Sequence, residues 1–374
     1  MSDRWSPDTI SRAGWDQLTG RNFYSSADWL DFCATEHAGE VEAVVAGDGP
    51  DAVALPLFHG TDLKGSPYDW NARLADRSLP LLAADGLLAG PREGYQTHLL
   101  RATPEPDPGA VARLLAGVRA RAGERGCVAM YLSTEDVRLL QAAGVPAPAV
   151  LLEADAWLPV PEGGFDAWIA TLTAKRRTAV RKEIAAFGAA GYRIRHLPLR
   201  ECSTDIAPLA VRTEAKYGYQ ATPDEDLTSF RNHERSLGDA AMVALCTLDD
   251  TPVGFCLYYV WGDTVFLRWA GFDYTRLRGA YEYFNVLYYE QLRWAAGRGV
   301  RWIHAGLKAT KAKVWRGAVL RPLWLLDLAE DSPLTAARED VHARNEEYLA
   351  ALLADSTLAG GVADLTQWRL PARP

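Results

Sequence analysis

Paired cysteines are missing from this sequence. Five cysteines stand at 33, 127, 202, 246 and 256, an odd number, and no two form a CxxC pair. Cys127, Cys246 and Cys256 lie in apolar runs, so small buried thiols in a reducing compartment are expected and a disulfide framework is disfavoured. The seven histidines are scattered without zinc-ligand spacing, which argues against a metal site. No GxSxG, no Cys–His pair of note and no Walker loop occurs, which disfavours covalent catalysis and nucleotide hydrolysis. No apolar run approaches a membrane span, and Met1 to Gly20 is polar without an apolar h-region. A cytoplasmic protein with no membrane insertion is the expectation. Positive charge is also in deficit: the formal net charge is −8, which opposes general binding to DNA or anionic membrane but leaves room for a local basic patch on phosphate.

What is present is globular. A chain of 374 residues with 48% hydrophobic and 24% charged residues has core material for two domains. Thirteen Trp and fifteen Tyr suit large aromatic surfaces in a core or a substrate cleft. The strand-like runs Val41 to Val45 and Ala52 to Phe58 flank the turn 47–51 and read as a hairpin. A loop-rich stretch runs from Gly60 to Gly94, then a strand from Tyr95 to Arg101. A helix runs from Pro108 to Gly126 with Asp107 as N-cap, and a buried strand from Val128 to Leu132. Turn residues at 159–164 set the expected domain boundary, giving lobes 1–160 and 161–374. Beyond it the pattern predicts one long helix from Phe165 to Gly191, three strands between Ala241 and Gly271, a helix from Gly279 to Gly299 and a strand from Val300 to Ala305.

The halves echo each other. AVVAGDGPDAVALPLF matches MVALCTLDDTPVGFCLYYV as a hairpin, and VRARAGERGCVAMYLS matches LRWAAGRGVRWIHAGL as a helix running into a buried strand. The order also repeats, which is that of an acetyltransferase lobe. The expected fold is therefore α/β (α+β): tandem GNAT-like lobes, each a mixed twisted sheet flanked by helices.

Several residues stand out chemically. On the helix from Phe165, Arg176 falls near the middle of the apolar face set by Phe165, Ile169, Leu172, Val180 and Phe187. An unpaired buried charge is costly, so Arg176 needs either a carboxylate of the fold or a bound phosphate. Lys175, Arg177, Arg181 and Lys182 flank that face. Arg276-Leu277-Arg278-Gly279-Ala280 stands before a helix, where free backbone N–H groups favour an anion such as a pyrophosphate. Arg276 and Gly279 fit the acetyltransferase coenzyme A loop, whereas Tyr281 takes its last small position. Asn285 shares a helix stripe with Tyr281, Tyr288 and Leu292 and needs hydrogen-bond partners, from a substrate amide or neighbouring backbone. Lys308, Lys311, Lys313 and Arg316 follow a buried strand and suit a multiply charged anion. Arg268, between Leu267 and Trp269, is a further buried-charge candidate. Acyl transfer to an amine needs a base or water relay, oxyanion donors and a proton for the leaving group; Glu214, Tyr217, Asp273 and Tyr283 are the candidates.

The segments TLTAKRRTAVRKEIAAFGAAG, KYGYQATPDEDLTSF, LRWAGFD, YFNVLYYEQLRWAAGRGV and HAGLKATKAKVWRG together resemble the peptidoglycan-biosynthesis-like proteins related to the Fem-type aminoacyl-tRNA-dependent peptidyltransferases. The resemblance covers about residues 165–328. It implies a family Arg at Arg176, an Arg-Trp-Gly-like strand at Arg268, Trp269 and Gly271, and a Lys-x-x-Arg-Gly ending at Lys313, Arg316 and Gly317. Tyr283, Phe284 and Asn285 replace the family's His-Phe-Glu, so a carboxylate is missing at 285. The stretch from Gly306 to Lys313 is one residue longer than the family pattern.

The expectation is an N-acyltransferase moving an aminoacyl group from aminoacyl-tRNA, or an acyl group from acyl-CoA, onto an amine of a small molecule, amino acid or peptide-like precursor, with no tightly bound cofactor. A specialised-metabolite acceptor is compatible with the departures from the family. RNA contact would fall mainly on the acceptor end, because only residues 175–182 form an extended basic surface. The other reading is a non-catalytic ligand-binding protein that keeps the fold. No motif specifies the oligomeric state.

Overall fold

The structure, a computed structural model, describes residues 10–59 and 63–371; residues 1–9, 60–62 and 372–374, which include part of the polar opening, lie outside the described residues. Two compact units form, Met1–Asp155 with Leu320–Pro374, and Ala156–Val319.

In chain order the first unit holds β1 (Glu40–Ala46), β2 (Val53–His59), β3 (Leu87–Ala89), β4 (Leu100–Arg101) and β5 (Cys127–Leu132). Strand β6 (Val150–Pro159) carries the chain into the second unit. There follow β7 (Arg193–Pro198), β8 (Ala241–Leu248), β9 (Thr251–Trp261), β10 (Thr264–Phe272) and β11 (Trp302–Gly306), and β12 (Val319–Asp327) returns the chain to the first unit.

The pairing repeats with the sequence. In the first unit β1–β2 and β2–β3 are antiparallel, β3–β5 is parallel, β5–β12 is antiparallel and β4 lies on β2. In the second, β7–β8, β8–β9 and β9–β10 are antiparallel, β10–β11 is parallel, and β11 pairs antiparallel with the Ala156–Pro159 end of β6. Within each unit the mixed run of strands thus takes its last strand from the other half of the sequence. Residues 320–374 accordingly group with the first unit, where the sequence reading had put them in a second lobe with 161–319.

Local signals explain most element ends. Asp107 accepts the N–H groups of Gly109 and Ala110 at 3.2 and 2.9 Å and starts the helix Pro108–Ala122. That helix stops at Gly123 (φ 57°), three residues before the expected Gly126, because Gly123 takes the left-handed conformation that satisfies the last turn. The stretch expected to be loop holds the helix Trp70–Ala75 and β3, both too short to show a period. The single helix expected from Phe165 is two, Gly164–Thr171 and Ala174–Ala189. Leu172 is extended and Thr173 caps the second helix through the Arg176 N–H. Arg177 completes the break by donating to the carbonyls of Leu172 (2.7 Å) and Ala170 (3.4 Å), orphans of the first helix end. Among the described residues no helix is long and apolar enough to cross a membrane.

Candidate functional site

The parallel pairing of β10 with β11 lasts three residues, from Thr264↔Trp302 to Phe266↔His304. Past that point both strands are irregular. β10 carries an extra residue at Arg268 against β9, and β11 one at Ala305 against β6. A bulge bends its strand and re-aims its side chains. A cleft of about 670 Å³, wholly within the second unit, is lined by Leu267–Ala270 and by Ala305 with Leu307–Ala309. Thr213, Tyr217, Tyr219 and Tyr274 form another wall, and Tyr283, Leu287 and Tyr288 a further one.

The walls are held by specific contacts. The helix Ser203–Lys216 lies against β10 at Gly271, where a Cβ would come within 2.6 Å of the Leu209 carbonyl oxygen. Thr213 Oγ1 accepts the Phe272 N–H at 2.9 Å, which fixes the end of that helix beside the cleft. The segment after β11 is wound left-handed at Gly306 (φ 67°), Lys308 (φ 56°) and Ala309 (φ 47°). For Lys308 and Ala309 this costs about 1–2 kcal/mol each. Lys313, 4% exposed, offsets the cost: its ammonium donates to the carbonyls of Ala305 (2.6 Å), Gly306 (2.9 Å) and Leu307.

Of the residues singled out by sequence, the structure brings Tyr217, Tyr283, Arg268, Lys308 and Lys313 to one cleft. The others sit elsewhere. Arg176 is half-buried, 3.4 Å from the Val314 carbonyl and with its guanidinium 5.9 Å from the Trp315 ring centroid, and it pairs with no carboxylate among the described residues. Arg316 is buried, donating to Glu183 (2.9 Å), Tyr289 Oη (2.8 Å) and the Ala312 carbonyl, with its guanidinium 3.4 Å from the Phe284 ring centroid. Three of its five N–H groups are engaged and the side chain is buried, so this charge serves the fold and does not face the cleft. Asn285 donates to the carbonyls of Tyr281 (3.0 Å) and Glu183 (3.3 Å) and lies in a π-helical turn, Asn285–Tyr289, which takes the place of a regular helix start. Asp273 is paired with Arg212 and accepts the Thr275 hydroxyl at 2.6 Å. Burial pushes its carboxyl up, but Thr275 and Arg212 outweigh burial and hold it below the usual carboxylate range. Glu214 lies just behind the Thr213–Tyr217 wall, and burial followed by Glu225 raises its carboxyl.

Arg276 and Gly279 are exposed, but the turn around them is closed. The helix begins at Glu282, not Gly279, and the Glu282 carboxylate is 4% exposed. It accepts the Arg278 N–H at 2.9 Å and the Tyr192 hydroxyl at 2.6 Å. Burial raises its carboxyl; Tyr192 and the N–H groups of Glu282, Ala280 and Arg278 prevail and keep it ionised. The anion expected at this helix start is the chain's own.

Sequence reasoning missed Thr213, Tyr274, Glu183 and Glu282. Only Glu282 left a usable trace, a carboxylate three residues beyond the glycine of a presumed anion loop. Cys256 also lines the cleft, but burial raises its thiol, so it stays protonated. Burial likewise raises the Tyr283 phenol, against a lowering contact from Tyr288 3.5 Å away, and it remains a proton donor at neutral pH.

The FemAB-like family, described by peptidoglycan biosynthesis/recognition, matches residues 90–357, well over half the chain. No curated protein matches. Among solved structures, FemX superposes with a TM-score of 0.58 at 12% identity, over 84% of this chain and 96% of that one. A conserved protein of Bacteroides thetaiotaomicron gives 0.56 at 15% identity, over 86% and 98%. L-PGS from Bacillus licheniformis gives 0.50 at 12%, over 84% and 91%. At such identities these likenesses establish the fold, α/β with mixed sheets flanked by helices.

Proposed function

The chain belongs to the FemAB-like family of peptidoglycan biosynthesis/recognition, and from that premise we propose that it transfers an aminoacyl group from the 3′ ester of an aminoacyl-tRNA to an amine. The observation that carries the choice of donor is the closed turn 276–281. An acyl-CoA pyrophosphate needs the N–H groups that Glu282 already occupies, whereas the cleft between β10 and β11 is open.

The cleft supports such a reaction with few groups. The amine nitrogen attacks the ester carbonyl and the carbonyl oxygen becomes an oxyanion. Collapse breaks the bond to the ribose oxygen, which takes up the proton lost by the nitrogen. Arg268 and Lys308 line the cleft as positive charge for the oxyanion and the terminal phosphate. Tyr283, kept protonated, is placed to pass its proton to the departing oxygen and regain one from the nitrogen. A second reading, binding without turnover, is favoured by one observation: no Asp, Glu or His is among the lining residues.

The test is incubation with aminoacyl-tRNA or acetyl-CoA and a panel of amines, following amide formation by mass spectrometry. Amide from the charged tRNA alone is the expected result. Transfer from acetyl-CoA sinks the assignment of donor, and tight binding of charged tRNA with no amide leaves the binding protein as the better reading.

A further inference from the structure

We propose that the floor of the cleft selects the side chain of the transferred aminoacyl group, admitting a large apolar one of the leucine or phenylalanine kind and rejecting lysyl and arginyl groups. The inference deepens the function proposed above and rests on it, since it takes the cleft as the seat of the acyl group.

The lining divides by depth. Tyr217, Tyr219, Tyr274 and Lys308 are exposed and mark the mouth. Cys256 and Tyr288 are 1% exposed, Phe272 2%, Leu287 7% and Leu307 9%, and these five mark the floor. One run of rings joins the two levels. Tyr274 lies 6.2 Å from Phe272, Phe272 6.1 Å from Tyr283, and Tyr283 5.9 Å from Tyr288, centroid to centroid.

The polar groups of the floor are already engaged. The Cys256 thiol donates to the Leu257 carbonyl at 3.7 Å, and the Tyr288 hydroxyl is 3.5 Å from that of Tyr283. Burial raises the Cys256 thiol and, with Tyr283 beside it, the Tyr288 phenol, so neither carries charge at neutral pH. The buried Lys313 ammonium has three donors, and they go to the carbonyls of Ala305, Gly306 and Leu307. A polar side chain entering here gives up its water and meets no partner in exchange, whereas an apolar one gains by leaving water.

Charge points the same way. No Asp, Glu or His is among the lining residues, while Arg268 and Lys308 are. A lysyl or arginyl group would pass two like charges and find no counter-ion below them. Size decides between large and small apolar groups. A cavity of about 670 Å³ is in the range of a small-molecule site, and an alanyl methyl would leave the floor uncovered.

The test uses the full chain and four probes that carry no nucleotide, the amides of L-leucine, L-phenylalanine, L-alanine and L-lysine, titrated calorimetrically at neutral pH. Leucine and phenylalanine amides should bind at least about tenfold more tightly than alanine amide, the scale of a few methylenes in an apolar pocket. Lysine amide should bind no better than alanine amide. Leu287→Ala should weaken leucine amide and leave alanine amide unchanged. Ala270→Leu, opposite Cys256 in the β10–β9 register, adds bulk to the floor and should weaken phenylalanine amide most. Equal binding of the four probes, tightest binding of lysine amide, no binding of leucine amide, or a preference unchanged in both variants overturns the proposal. Failure of aminoacyl transfer with the leucine preference intact would instead strike only the function proposed above.

Discussion

The Glu282 carboxylate accepts the backbone N–H of Arg278 at 2.9 Å, so the turn that opens the central helix closes on an anion of the same chain. Removing that anion should free the N–H groups for another. Glu282→Ala is expected to gain thermal stabilisation by inorganic phosphate, which the unaltered protein lacks. It should also lose about 1.5–3 kcal/mol, the scale of a charge-assisted buried hydrogen bond. Because the folded carboxyl lies below its unfolded value, that stability is present above the unfolded pKa and is lost as pH falls through the folded one. Denaturant titration with and without phosphate, at neutral and acid pH, checks both parts.

Arg316 and Glu183 form a buried pair at 2.9 Å with side chains 4% and 11% exposed. Arg316→Met or Glu183→Gln alone should cost about 3–5 kcal/mol, since each leaves a buried group unmatched, and the double variant should cost less than the sum. Additive losses in urea unfolding would show that the two act independently.

Lys313 should be intolerant of a conservative change. Lys313→Arg replaces a point charge that gathers three converging carbonyls with a planar fork that cannot. Faster amide exchange confined to residues 305–309, together with loss of cleft binding, is the expected signature. Normal exchange there would remove Lys313 from its role in holding the loop.

Tyr283→Phe is expected to lower the rate of amide formation by about 10²- to 10⁴-fold, the range for a positioned proton donor, with little effect on donor affinity. Single-turnover rates measured against donor concentration separate the two effects. A weaker affinity at an unchanged rate would make Tyr283 part of a binding wall alone.

Asp226 carries a pH prediction of the opposite sign to Glu282. Burial, then Glu214, then Glu225 raise its folded carboxyl to about 7, so its contribution is fully present below the unfolded pKa and is lost as pH rises through about 7. The melting temperature should fall as pH rises from about 4 to about 7, and Asp226→Asn should flatten that fall. A slope unaltered by the substitution would show that other groups govern it.

How much was legible in the sequence depended on the range of the interaction. The Asp107 cap, the two hairpins and the helix-to-strand units repeat within a few residues of themselves, so they could be read and their order compared. The family motifs fall in the second unit, where Arg268, Lys308, Lys313, Tyr217 and Tyr283 line one cleft. The fates of Arg176, Arg316, Asn285 and Asp273 could not be read, because a side chain's partner is chosen by tertiary contact. Arg316 meets Glu183 across 133 positions, and Arg176 meets Val314 across 138.

The sequence by itself determined the repeated order of strands and helices and the absence of paired cysteines, because propensity, periodicity and capping act over one or two turns of chain. Only the tertiary structure decided which charges serve the fold and which face the cleft. It parts β10 from β11 at two bulges, turns Lys313 inward onto three carbonyls, and fills the helix start with Glu282. Each is settled by burial: a charge taken out of water must be met by whatever group the packed chain places beside it.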